Sequence, residues 1–216
     1  MKIASNKEEK QLAYKVEYKR FKKALKEEFY LEAVSIGYAI IEDRLIAFLH
    51  HAGFVSRNHE RLKINKMVYP YVRQLMDVSE TSAIIVRSIS KKVELIRRLI
   101  EMSEGEAEAI DQYVQQYLND CKRKKSVAKP GYMLFLHRYV SNVDREEVLT
   151  LLNQIDNWRN TRNRLVHALL NQKVEYADAM KKNCAEESYS ISRKLDDYLV
   201  KPFKKKSRIR GKYNIQ

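Results

Sequence analysis

Turn residues are scarce in this chain of 216 residues, which has 5 glycines and 3 prolines. Folds made of many short strands need such residues at each reversal, so their scarcity points to long helices joined by few loops. Cysteine is also sparse. Cys121 and Cys184 stand at no metal-like spacing and make no disulfide framework, which suits a reducing compartment. The segment Met1–Lys10 is polar and lysine-rich and holds no apolar signal core. The longest apolar-rich run, Leu31–Leu49, carries Glu32, Glu42, Asp43 and Arg44, charges that a membrane span would not tolerate. The expected location is cytoplasmic, with no membrane partner. No phosphate-cradling glycine loop, nucleophile elbow or zinc finger is present, so no cofactor is expected. His50, His51 and His59 do not make a metal site, because adjacent histidines on a helix point apart and no carboxylate or thiol stands at metal spacing.

What the chain does have is apolar matter and positive charge. Hydrophobic residues are 44% and charged residues 32%, enough for a real core and against global disorder. Good helix formers (Lys, Glu, Leu, Ala, Arg) abound. The formal net charge of +14 favours polyanions, with nucleic acid ahead of an anionic membrane surface. A solvated basic protein without such a partner is the plainer alternative.

Apolar periodicity divides the chain into helices. Residues 8–28 make a charged helix with a thin apolar face and Tyr14, Tyr18 and Phe21 at steps of three and four. Residues 30–52 are apolar on nearly every face, as befits the middle of a bundle, with Gly53 as a C-cap. Residues 56–70 read as loop plus a short helix. Further helices are expected over 84–102 and 107–121. Lys122-Arg123-Lys124-Lys125 and Pro130-Gly131 form a connection, and an apolar stretch follows over 132–140. Two last helices are expected at about 145–170, capped by Ser141 or Asp144, and 174–200, stopped by Pro202. The architecture is all-α: a charged N-terminal helix (1–28) packed on a helical bundle (29–200), with a basic tail (201–216).

The helix before His167 carries a stripe of Leu151, Leu152, Ile155, Trp158, Leu165, Val166 and Leu169. Continued in steps of three and four from Trp158, it demands an apolar residue at position 162, where Arg162 stands. A charge on a core stripe is paired, snorkelling or kept for function. Asn163 and His167, four apart, share a face. Arg162 and His167, five apart, lie about 140° around a straight helix. They converge only through the long arginine arm, a helix break, or a second copy of the chain. Arg-x-x-x-x-His alone arises about 0.4 times by chance in such a chain, and Arg44 with His50 or His51 fits looser versions. The adjacent Asn163 cuts that rate about twentyfold.

Arg162-Asn163-x-x-x-His167 resembles the motif of the HEPN ribonucleases, which sits near the last helix of a four- or five-helix bundle. Trp158-Arg159-Asn160-Thr161 and Ile41-Glu42-Asp43-Arg44-Leu45 also look like bacterial members, over about 29–200. The resemblance implies a metal-independent endoribonuclease and a homodimer whose two motifs face one cleft. It further implies a toxin or phage-defence role, with an antitoxin or regulatory protein as partner. His167 would move protons, Arg162 would hold the phosphate, and Asn163 would orient either. Glu42, Asp43 and Arg159 would support them. Arg44, Lys122, Arg123, Lys124, Lys125 and Arg164, with the basic run over 204–210, are candidate RNA contacts. In one branch of the family a tyrosine two residues after the histidine is modified; Leu169 stands there, with Tyr176 nearby. The bland alternatives are an Arg162 ion pair with Glu42 or Asp43, and a core His167. Two further readings stay open, a non-catalytic RNA- or DNA-binding module and a protein-interaction partner.

Overall fold

The computed structural model describes residues 7–51, 55–58, 61–64, 73, 86–101, 105–106, 108–109, 112, 145–168 and 174–200. The fold is the expected all-α helical bundle. Among the described residues five helices follow one another: α1 (Lys7–Lys26), α2 (Tyr30–His51), α3 (Ile89–Glu101), α4 (Arg145–Ala168) and α5 (Val174–Leu195). A π-helical turn, Asp196–Val200, extends α5. One departure is a hairpin of β1 (Val55–Asn58) and β2 (Arg61–Ile64), paired antiparallel with Val55 opposite Ile64 and Arg57 opposite Leu62. It falls where loop and a short helix were expected. The alternation Leu62-Lys63-Ile64 is a strand signal, but three residues are too few to read alone. Gly53, most of 107–121, the Lys122–Lys125 run, 130–140, Leu169 and the tail from 201 lie outside the described residues.

The chain forms two compact units: residues 1–43 with 153–195, and 44–152 with 196–216. In the first unit α1 packs on α5. Glu8 and Glu9 open α1 and Lys23 and Lys26 close it, each sign matched to the helix dipole. Its inner face buries Phe21 and Ala24. Phe21 meets Tyr189 edge-on at 5.2 Å between ring centroids, and the Tyr18 hydroxyl donates to the Ser192 carbonyl (3.2 Å). Phe29 N–H bonds to Ala24 O (2.8 Å) and Glu28 N–H to Leu25 O (3.4 Å), the paired bonds of a Schellman stop. Glu28 takes the left-handed position (φ 62°), where glycine is usual. The Glu28 carboxylate accepts a hydrogen bond from Tyr30, whose pKa is raised by desolvation and then by that carboxylate.

Gly37 sets how closely α2 and α5 approach. A Cβ built there would lie 2.4 Å from Ser188 Oγ and 2.7 Å from Ser188 Cβ. The facing stripe of α5 is correspondingly small, burying Ala177, Cys184, Ala185, Ser188 and Ser192. Both serines turn their hydroxyls back to their own helix, Ser188 onto Ala185 O and Ser192 onto Ser188 O, at 2.8 Å each. No buried donor is therefore stranded at the contact.

In the second unit α3 presents Ile89, Val93, Leu95, Ile96, Leu99 and Ile100 to the interior. Ser88 caps it, its hydroxyl accepting from Lys91 N–H at 3.2 Å. Lys92 is buried among these apolar residues and its ammonium donates to the Arg87 carbonyl.

Candidate nucleic-acid interface

Apart from Arg44, which belongs to the second unit, the described residues of the candidate site lie in the first unit, on α2 and α4. The α4 stripe is buried at Ile155, Trp158 and Leu165. Val166 is not part of it: it is 43% exposed, because steps of 3, 4, 3 from position 155 land on 165. Position 162 falls on the stripe, and Arg162 is half-buried there. Its guanidinium carbon lies 4.9 Å from the centroid of the Tyr38 ring on α2. The partner is thus an aromatic face rather than the carboxylate of the bland alternative. Asp43 is instead bonded by Lys10 Nζ (3.0 Å) and by the Tyr14 hydroxyl of α1. Glu42, half-buried, acts on Tyr38. Burial raises the Tyr38 pKa, the Glu42 charge raises it further, and the Arg162 charge lowers it.

A stacked arginine differs chemically from an ion-paired one. An aromatic face attracts the cation, worth about 0.5–2 kcal/mol, without occupying the in-plane N–H donors. Asn163 Oδ1 accepts from Arg162 Nη1 at 3.2 Å and fixes the plane. Arg162 Nε is buried with no hydrogen-bond partner. Below it, Trp158 is fully buried, tilted against Tyr38 at 6.4 Å between centroids, and donates its indole N–H to Cys184 O at 3.0 Å. Burial drives the Cys184 thiol up to about 11, with the Arg162 charge opposing. The guanidinium therefore rests on a rigid aromatic floor made by two helices.

His167 stands in the last turn of α4, exposed, as does Asn163. The helix is unbroken through Ala168, so the break that could have swung His167 toward Arg162 is absent. Arg162 reaches Tyr38 and the His167 ring faces solvent, so one chain does not bring the two together. Arg164 is exposed and donates to Thr161 Oγ1 at 3.4 Å. Arg159 lies 3.7 Å from Asp156 and donates to Asn160 Oδ1 at 3.2 Å.

Arg44, a candidate RNA contact, is half-buried in the second unit. Its Nη2 lies 2.6 Å from Asp196 Oδ1, with the two side chains 15% and 19% exposed. A pair so shielded holds its charge for its partner rather than for a ligand. Lys122, Arg123, Lys124 and Lys125 lie outside the described residues. Among the described residues no group of His, Cys, Asp and Glu could hold a metal ion, and no helix is long and apolar enough to cross a membrane. Tyr38 went unnoticed in the sequence. Its signal was the spacing Tyr38–Glu42, one turn apart on the most apolar helix, facing an arginine that needed a partner. No protein-family model, curated protein or solved structure matches the chain.

Proposed function

We propose that this protein is a metal-independent endoribonuclease of the HEPN type, cutting RNA through Arg162 and His167 with Asn163 between them. The observation that carries the reading is Arg162 itself: a guanidinium on a core stripe, held against a ring rather than a carboxylate, one helical step from an exposed Asn163 and five residues from an exposed His167. In the reaction the ribose 2′-oxygen attacks the adjacent phosphorus and the bond from phosphorus to the 5′-oxygen breaks. One histidine takes the 2′-hydroxyl proton and another protonates the leaving 5′-oxygen. Arg162 meets the charge that builds on the phosphate. With α4 straight and the Arg162 arm turned onto Tyr38, two chains supplying their motifs to one cleft would provide both histidines. The formal charge of +14 suits the substrate. A role as a toxin or phage-defence effector, restrained by a regulatory partner, follows from the same reading.

A second reading is a basic RNA-binding module without chemistry, favoured by the separation of Arg162 from His167 within one chain. Product analysis separates the two. Fragments ending in 2′,3′-cyclic phosphate and 5′-hydroxyl, lost when the ribose at the cut is 2′-deoxy, establish cleavage. Salt-sensitive binding with intact RNA establishes the module.

A further inference from the structure

The α4 surface holds two copies of the same device. Arg162 donates to Asn163 at 3.2 Å, and three residues earlier Arg159 donates to Asn160 at 3.2 Å. In each pair the guanidinium is half-buried, its Nε is buried without a hydrogen-bond partner, and the asparagine that steadies it is exposed. Three residues along a helix give a rise of about 4.5 Å and a turn of about 60°. The two forks therefore stand side by side along the helix, offset by less than one turn. With each Nε buried, the exposed Nη edge beside the asparagine is what each arginine has to meet a phosphate oxygen.

We propose that Arg159 and Asn160 form a second phosphate-binding position, so that α4 grips two successive phosphates of one RNA strand, one at Arg162–Asn163 and the next at Arg159–Asn160. The proposal rests on the ribonuclease reading for its substrate class. It adds that the preferred substrate is a single strand continuing beyond the cut, since both forks lie along one helix and follow one backbone. Asp156, 3.7 Å from Arg159, competes with that phosphate for the guanidinium. It is half-buried and one turn back on α4, so the second position is the weaker of the two. Arg159 is thus a binding residue for the neighbouring phosphate, and Arg162 the one that meets the reacting phosphate.

The test uses the full chain and a fluorescent 12-nucleotide pool of random sequence, as RNA and as the uncleavable 2′-deoxy form. Arg159→Ala is expected to weaken binding of the deoxy pool about tenfold and to lower the salt slope of its binding constant by about 0.7. On the RNA pool it raises KM by a similar factor and leaves kcat near wild type, whereas Arg162→Ala lowers kcat. Arg159→Lys keeps the slope. Asp156→Asn, which removes the competing carboxylate, tightens binding. An Arg159→Ala protein with wild-type slope and KM overturns the second position while leaving the ribonuclease reading intact. So does an Asp156→Asn protein that binds as weakly as Arg159→Ala, since both would then be breaking a structural pair. An Arg159-dependent slope without any RNA cleavage keeps the second position and removes the ribonuclease reading.

Discussion

Replacing Gly37 with alanine should destabilise the protein, although alanine is the better helix former. Propensity alone favours alanine by about 1 kcal/mol in a helix interior. The new methyl carbon would lie 2.4 Å from Ser188 Oγ, 2.7 Å from Ser188 Cβ and 3.1 Å from Phe21 Cζ. Rotating the serine hydroxyl away breaks its 2.8 Å bond to Ala185 O in a fully buried position. It also leaves the Cβ contact untouched, so the two backbones must part. Overpacking of this kind costs about 1–3 kcal/mol. The propensity gain roughly offsets the lost hydroxyl bond, so the net loss is about 1–3 kcal/mol, a fall in Tm of about 2–12 °C for a chain this long. Urea unfolding followed through Trp158, the single tryptophan and fully buried in the same unit, reads it directly. Adding Ser188→Gly removes both close atoms and should erase the penalty, a coupling visible in the double-mutant cycle. Gly37→Ala at or above wild-type stability would refute the close approach of α2 to α5.

Three other outcomes follow from the geometry. Tyr38→Phe keeps the ring beneath Arg162 and should leave RNA cleavage within a factor of two or so of wild type, whereas Tyr38→Leu, losing a cation–π contact of about 0.5–2 kcal/mol, should lower it roughly tenfold. Equal rates for the two would show that the ring does not hold the guanidinium. Glu28→Gly relieves a left-handed backbone (φ 62°) and should raise stability by about 0.5–1 kcal/mol in thermal unfolding, the strain outweighing the added freedom of the unfolded glycine. In a Cys121→Ser background, Cys184 should resist thiol reagents at neutral pH until the protein unfolds. Its folded pKa of about 11 lies above the unfolded value, so the native state holds the proton longer. Stability should thus fall as pH rises from about 9 toward 11, and a flat profile across that window would contradict the burial.

The bundle was legible because its signals are long and repeated: few turn residues, a helix apolar on most faces at 30–51, and stripes of three and four on the rest. The site was legible as a breach of that pattern, a charge at position 162 where the stripe asks for an apolar side chain. What occupied the breach was not. A one-dimensional stripe says that Arg162 needs a partner but leaves open which face of which helix supplies it. The carboxylates of Glu42 and Asp43 were the obvious partners, yet α1 brings Lys10 and Tyr14 to Asp43, and Tyr38 lies beneath Arg162. The pairing of Arg44 was hidden for a related reason. Its partner Asp196 is some 150 residues away in sequence, and such pairing is decided by tertiary packing alone. Val166 shows the limit of stripe phasing, where a choice between steps of three and four moves a side chain from core to surface.

The decisive measurement of metal-free cleavage through Arg162 and His167 is RNA cleavage by purified protein in excess EDTA, with wild type set beside Arg162→Ala and His167→Ala. Arg162 is half-buried and His167 exposed on α4, so both variants should keep their fold by circular dichroism. Wild type should cut in EDTA, and each substitution should lower the rate at least a hundredfold. Cleavage that continues unchanged in His167→Ala, or that stops in wild type when metal is removed, would contradict the mechanism.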